Sequence, residues 1–314
     1  MNDAARAGLI VLTAAAALVL AAALIRRLRL YARRDFFANK VVILTGASRG
    51  IGRELALLLA RRGARLVLAA RTVQPLEQVA AECRAARPDV ALLIQPTDVT
   101  SEADLQALVG AALAAFDTID ILINNAGVIR GGDFIHGGPA AFTGQMAVNL
   151  LAPMRLAQIA APHLIAGGGG VIINMASVLG RHTMPFFTAY SVSKSGLIAF
   201  GEGLRRELRG QGVRVLTVIA GFTDTAMVHG AKGVLRRYGV RIMPAGHTAR
   251  RIIEAVMLGR REVNLFGIEW LAIAIDALSP ALADWLWGIL APPNLAQIAA
   301  DQHTEGPPGG QAEG

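Results

Sequence analysis

Cysteine is nearly missing from this chain. Cys83 is the single one in 314 residues, so an internal disulfide is excluded and a reducing compartment fits. No Cys, His, Asp and Glu cluster has the spacing of a zinc site, so no metal is expected. Aromatics are scarce at 5%, and charged residues make up only 17%, while 54% of the chain is hydrophobic and the mean hydropathy is +0.46. That balance is high for a soluble body and predicts extra membrane-directed surface. Acidic residues are the rarer charge, 23 against 31 basic ones, for a net charge of +8. Six of the basic residues, Arg26, Arg27, Arg29, Arg33, Arg34 and Lys40, crowd into fifteen positions. A nucleic-acid module would carry a recognised motif beside such a cluster. None is there, and no nucleic-acid partner is expected.

The basic cluster instead follows an apolar run, GLIVLTAAAALVLAAALI, from Gly8 to Ile25. Eighteen residues without a charge are about the minimum for a bilayer-spanning helix. The segment before the run lacks the basic start of a cleaved signal peptide. Arginines after it should stay on the cytoplasmic side and meet anionic head groups. Residues 1–38 therefore read as a single uncleaved membrane anchor with a basic juxtamembrane segment, placing the domain that follows in the cytoplasm.

From Lys40 onward, apolar runs alternate with amphipathic stretches of helical length. VVILT at 41–45, RLVLAA at 65–70, IDILIN at 119–124, VIINM at 171–175 and VRVLTVI at 213–219 predict buried strands, with a weaker one, VALLIQ, at 90–95. Helices are expected over 51–62, 101–116 and 190–209. This order predicts a doubly wound α/β domain over 39–267, with a parallel sheet covered on both faces. The segment Glu269–Leu290 is apolar but interrupted. Glu269, Asp276 and Asp284 recur at helical spacing and are expected to share a wet face, and Pro280 should break the helix. Residues 268–292 form an apolar helical extension that either covers the domain or meets a membrane. Beyond it, residues 293–314 are rich in Pro, Gly, Gln and Ala and are expected to be disordered.

The first strand runs directly into TGASRGIG, Thr45 to Gly52. Strand, glycine-rich turn and helix start, in that order, make a dinucleotide cradle: the backbone can approach a pyrophosphate, and the helix offers free N–H groups. Gly46, Ser48, Arg49, Gly50, Ile51 and Gly52 are the candidate contacts. The missing GK[ST] ending excludes a nucleotide-triphosphate loop. An NAD site would usually carry an acidic residue near the end of the second strand. Arg71 stands there instead, with Arg49 in the glycine turn. Two guanidiniums can clamp a 2′-phosphate, so NADP(H) is the expected cofactor.

Further along come Asp98 in the TDV step, NNAG at 124–127, Asn149, Ser177 and Tyr190-x3-Lys194. With the glycine turn, and in this order, they make residues 39 to 266 resemble a short-chain dehydrogenase/reductase. The resemblance implies a catalytic tetrad. Tyr190 would exchange the proton, with its pKa lowered by the Lys194 ammonium. Ser177 would hold the substrate oxygen, and Asn149 would hold a water linking Lys194 to solvent. Tyr190 and Lys194 would also touch the cofactor, Lys194 at the nicotinamide ribose. By the same resemblance Asp98 and Val99 flank the adenine, and Asn125, Ala126 and Gly127 line the cofactor cleft. Asn124 is expected to tie neighbouring strands. The family's usual Pro-Gly after the sixth strand is here Ala220-Gly221, and Thr223 and Thr225 are expected at the nicotinamide amide and a phosphate. The segment 222–243 should form the substrate loop. Its Phe222, Met227, Val228, Val234, Leu235, Tyr238, Val240, Ile242 and Met243 point to a lipophilic carbonyl or alcohol. Membrane-bound relatives include 3-ketodihydrosphingosine reductases, which this sequence most resembles, and steroid or retinol enzymes. A general carbonyl reductase and a non-catalytic NADP(H)-binding scaffold are the alternatives, and a homo-oligomer stays open.

Overall fold

The computed structural model describes residues 3–135, 138–229, 232–237, 240–267, 269–291, 295, 296 and 299. Side chains are described from residue 13 onward, save at 141, 234, 236 and 237. The chain opens with a long helix, α1 (Asp3–Ala32). There follow β1 (Val41–Thr45), α2 (Gly50–Arg61), β2 (Arg65–Ala70), α3 (Val73–Ala86), β3 (Leu92–Pro96), α4 (Glu102–Phe116) and β4 (Ile121–Asn124). The second half runs through α5 (Gly138–Met146), α6 (Ala152–Ala166), β5 (Gly170–Ser177), α7 (Thr188–Glu207) and β6 (Val213–Ala220). A short excursion, β7 (Thr223–Asp224), α8 (Lys232–Arg237) and β8 (Met243–Pro244), leads to α9 (Ala245–Met257) and β9 (Glu262–Leu265). Two last helices are α10 (Glu269–Leu278) and α11 (Pro280–Leu290).

Seven strands form one parallel sheet in the order β3-β2-β1-β4-β5-β6-β9. Chain order reverses between β1 and β4, which opens a crevice at their carboxyl ends, the usual ligand position of this architecture. Each central strand is apolar on both faces because helices cover both. On one face Leu44, Leu66 and Leu68 pack on Leu55, Leu59, Leu76 and Ile252. On the other, Ile43, Val67 and Leu122 pack on Leu105, Leu108, Leu156 and Leu164. The expected strands are all present, and the fifth extends to Ser177 because Ser177 still pairs with Ala220. The edge strand β9 has no counterpart in the sequence reading. Only Leu265 of its four residues is buried, so it lacks an apolar run.

The expected anchor lies within α1. Among the described residues no helix is long and apolar enough to cross a membrane. The run's described part, residues 13–25, is shorter than the roughly 20 residues a span requires; positions 8–12 fall outside the described side chains. The end of α1 is fastened to the domain, with Arg26 paired to Glu254 and Arg33 donating to the Met257 carbonyl at 2.8 Å. Pro280 does break the C-terminal helix: α10 stops at Leu278, and the Ser279 hydroxyl caps α11 by accepting from the Leu282 N–H. Asp276 does not join a wet face with Glu269 and Asp284. It pairs with His182 of the main domain, whose ring stacks on Trp287. Helical spacing groups residues on a face but does not say which face meets the body. Nor does the expected tail begin cleanly at 293: Leu295 and Ala299 are buried.

Candidate active site

The cradle at the end of β1 owes its shape to missing Cβ atoms. Gly46 has φ +64°, and a Cβ on Gly52 would lie 2.1 Å from the Gly46 carbonyl oxygen. Arg49 is the extended residue before α2, and the first turn of that helix carries no acidic side chain. The helix N-terminus is thus left free to meet negative charge. The loop is bolted to the NNAG segment. Thr45 Oγ1 accepts from the N–H groups of Asn125 and Ala126, both at 3.1 Å, and Asn125 Nδ2 donates to the carbonyls of Thr45 and Gly46 at 3.0 Å. A dinucleotide's phosphates fit a cradle that a single methyl group would fill. Ser48 is half-buried in this turn, and Arg49 and Arg71 are both exposed beside it. The charge of Arg71 reaches Asp98, whose carboxyl sits below its usual range chiefly because it accepts from the Thr100 N–H. Val99 faces inward toward Thr45, Asn124 and Ala126.

Across the crevice, β5 delivers Ser177 and α7 delivers Tyr190 and Lys194. One turn of helix puts the lysine under the phenol, with Nζ 5.7 Å from the ring centroid. The Tyr190 hydroxyl hydrogen-bonds the Ser177 side chain. Lys194 Nζ donates to the Met175 carbonyl at 2.8 Å. Asn149 lies in a π-helical turn, Ala147–Leu151, between α5 and α6; such turns are frequent at functional sites. Its side chain is fully engaged: Oδ1 accepts from the Val128 N–H at 2.9 Å, and Nδ2 donates to the Val128 carbonyl at 2.8 Å and to Ser193 Oγ at 3.1 Å. Gly127 completes the fit, since a Cβ there would stand 3.3 Å from Asn149 Oδ1 and 3.5 Å from Lys194 Nζ.

The electrostatics differ from the sequence expectation. Tyr190 is 7% exposed and Lys194 5%. Burial pushes the phenol above its ordinary value, outweighing the Ser177 hydrogen bond that pulls it down, and burial lowers the Lys194 ammonium to about 8. Both groups are thus biased toward neutrality. A stability consequence follows. Between pH 8 and 10.5 the unfolded chain holds the Lys194 proton and the folded one does not, so stability rises with pH in that window. Tyr190 acts oppositely: its contribution is full below about pH 10 and falls above it. Denaturant titrations from pH 8 to 10 should show Lys194 adding about 2 kcal/mol. The same series on Lys194→Met should lack that rise.

Thr225 reaches the cradle, with Cγ2 3.0 Å from where a Gly50 Cβ would be. The Thr223 hydroxyl meets Thr248 Oγ1 at 3.2 Å and the Gly221 carbonyl at 3.3 Å. Gly221 passes so close to β9 that a Cβ would stand 2.7 Å from the Leu265 carbonyl. The loop course therefore holds without the missing proline. Asn124 does tie strands, donating to Asn174 Oδ1 at 2.9 Å. Supporting residues without a signal of their own are Thr45, Gln145 and Ser193. Gln145 clamps the loop after NNAG by exchanging hydrogen bonds with both backbone groups of Arg130. Ser193 bridges Asn149 to the Tyr190 carbonyl, at 2.7 Å from the latter. Only Ser193, three residues after Tyr190 on the same helical face, could have been found by spacing.

Around the phenol the walls are apolar. Val178, Leu179 and Phe187 are buried against Tyr190, with Phe222, Phe266 and Ile273 packed on them. The substrate segment 222–243 clusters on itself through Leu235, Phe222, Val228, Val240 and Ile242. Val234 and Tyr238 lie outside the described side chains. Residues 40–233 match the short chain dehydrogenase family. The chain belongs to that family. This short-chain dehydrogenase is 31% identical over 261 residues to dehydrogenase/reductase SDR family member 7B of Bos taurus, covering 79% of this chain and 80% of that one. It is 38% identical over 186 residues to a ketoacyl reductase, HetN, of Nostoc sp., covering 59% of this chain and 64% of that one. Among solved structures, a short chain dehydrogenase/reductase from Burkholderia phymatum in complex with NAD superposes with a TM-score of 0.73 at 26% identity. The match covers 78% of this dehydrogenase and 95% of that chain. The protein is an oxidoreductase of the short-chain dehydrogenase/reductase type.

Proposed function

We propose that the protein reduces the carbonyl of a lipophilic substrate, such as a long-chain keto lipid of the 3-ketodihydrosphingosine kind, using NADPH. The observation that carries this reading is the whole Ser177, Tyr190 and Lys194 group set in an apolar wall. A bound nicotinamide would supply the hydride. Ser177 Oγ and the Tyr190 hydroxyl would together hold the carbonyl oxygen, and Tyr190 would hand over its proton as negative charge develops there. Lys194, held near 8, is suited to replace that proton near neutral pH. A water held by Asn149 would connect it to solvent.

Similarity to the ketoacyl reductase of Nostoc supports carbonyl chemistry. An intact tetrad speaks against a non-catalytic scaffold. NADPH is favoured by the exposed Arg49 and Arg71 and by the absence of an acidic residue from Leu66 to Leu76. The apolar α1 with its trailing arginines would hold the domain at a membrane, where such substrates reside. The test is turnover by the full chain in detergent, followed by nicotinamide absorbance, with NADPH or NADH and a panel of long- and short-chain ketones. Long-chain keto lipids with NADPH should give the highest kcat/KM. Arg49→Ala combined with Arg71→Ala should cut the preference for NADPH by roughly 10–100-fold. A wild-type preference for NADH would overturn the cofactor assignment, and turnover confined to small ketones would overturn the lipid one.

A further inference from the structure

The helix pair α10–α11 is apolar on two sides. Toward the domain, Ile273 packs on Val178, Leu179 and Phe187, the wall around Tyr190. His182, in the loop that follows Ser177, pairs with Asp276 and stacks its ring on Trp287. Ala283, one helical turn before Trp287, is buried. On the outer side, Trp270, Leu271 and Leu278 of α10 and Leu282, Trp285 and Ile289 of α11 are exposed. Leu278 is 87% exposed and the two tryptophans 61% each. Helical spacing separates the two sets: 282, 285 and 289 make one stripe of α11, and 283 and 287 another. All three tryptophans of the chain stand in this pair.

A helix that is apolar all round belongs in a protein core or in a membrane. In α10 and α11 only Ala283 is buried, so the pair is not core. At 10 and 11 residues neither helix can cross a bilayer, and short helices with exposed Trp and Leu lie in the head-group layer. Tryptophan is enriched at that layer. The charges agree. From Glu269 to Leu290 the only charged residues are Glu269, Asp276 and Asp284. Asp276 is held by His182, and Glu269 Oε2 accepts from the Gly267 N–H at 2.6 Å. With no Lys or Arg, this face suits a zwitterionic phospholipid surface rather than an anionic one. We infer that the outer face of α10 and α11 docks on such a bilayer, holding the wall of the catalytic pocket at the lipid surface. A lipophilic ketone then passes to Tyr190 along Ile273 and its neighbours without crossing water. The delivery step rests on the reading of the substrate as lipophilic; the docking does not.

The tryptophans report on this face directly. Replacing two of them at a time by Phe leaves each alone in the full chain, reconstituted in phosphatidylcholine vesicles. Trp270 and Trp285 should each lose about half or more of their emission to a lipid carrying a nitroxide near the head group. Trp287, stacked on His182, should lose far less. Quenching of Trp270 and Trp285 by dissolved iodide but not by the labelled lipid would place the face in water and overturn the docking. Protection from both quenchers, with a dimer trapped by chemical cross-linking, would give the face to a second copy and overturn it equally. Turnover tests the delivery. Leu271→Gln combined with Leu278→Gln changes two exposed side chains and leaves Ile273 and Asp276 in place. Its KM for a long-chain ketone presented in vesicles should rise about tenfold or more, while kcat/KM for a short dissolved ketone stays within about twofold. An unchanged KM for the vesicle-borne ketone would overturn the delivery. If no ketone is turned over by any form, the functional reading fails, and the quenching alone supports or overturns the docking.

Discussion

Tyr190→Phe is expected to lower kcat by roughly 10²–10⁴-fold, the range for removing a positioned acid. The loss should be confined to chemistry. The ring stays, so Val178, Leu179 and Phe187 keep their contacts, and Ser177 Oγ still accepts from the Leu179 N–H at 3.2 Å. Removing one hydroxyl from that pair should change stability by about 1 kcal/mol. Affinity for the reduced cofactor, read by its fluorescence in a titration, should stay within about threefold, since a hydrogen-bond's worth of free energy is at most a factor of this order to tenfold. Residual turnover close to wild type would mean that another group delivers the proton.

Gly52→Ala should remove cofactor binding altogether. Its Cβ would stand 2.1 Å from the Gly46 carbonyl oxygen and 2.7 Å from Asn125 Nδ2. Both are fixed parts of the cradle: one is backbone, and the other is held by two carbonyls at 3.0 Å. Relief requires the turn to open, which breaks the fastening to NNAG. Cofactor affinity should fall about 100-fold or more, equivalent to at least about 2.7 kcal/mol, and overpacking should lower stability by about 1–3 kcal/mol. Gly203→Ala is the matched control. It sits inside α7 with no atom within 4 Å of the added methyl, so it should leave binding intact and add about 0.5–1 kcal/mol of stability. Equal behaviour of the two variants would show that the cradle tolerates a side chain.

The contrast between these glycines shows what was legible in the sequence. The demand at Gly52 comes from the Gly46 carbonyl, six residues back in the same loop, so the local string TGASRGIG displays it. The same holds for Tyr190 and Lys194, which one helical turn brings together, and for the apolar strands. Thr45 and Gln145 act on partners 80 and 15 residues away, and nothing local marks them; Ser193, whose distant partner Asn149 lies 44 residues back, is marked only by its spacing from Tyr190. Asp276 looked like solvent-facing charge because its partner, His182, is 94 residues distant. Leu295 and Ala299 were hidden by their company: a Pro- and Gly-rich composition reads as tail, and two scattered apolar residues do not outweigh it. The tyrosine's titration was misjudged for a different reason. The charge of Lys194 is visible in the sequence, but the burial that opposes it depends on the assembled walls.

The excursion between β6 and α9 is closed at its neck. Thr223 pairs with Met243 and Asp224 with Pro244, and the Met243 N–H donates to the Phe222 carbonyl at 2.9 Å. With both ends held, what lies between them is free to vary in length at little cost, since doubling a loop adds only about 0.6 kcal/mol of closure entropy. The stretch is therefore a cassette. Related chains could exchange it whole and carry a new substrate preference onto an untouched nucleotide-binding body, much as a tool head is swapped on a common handle.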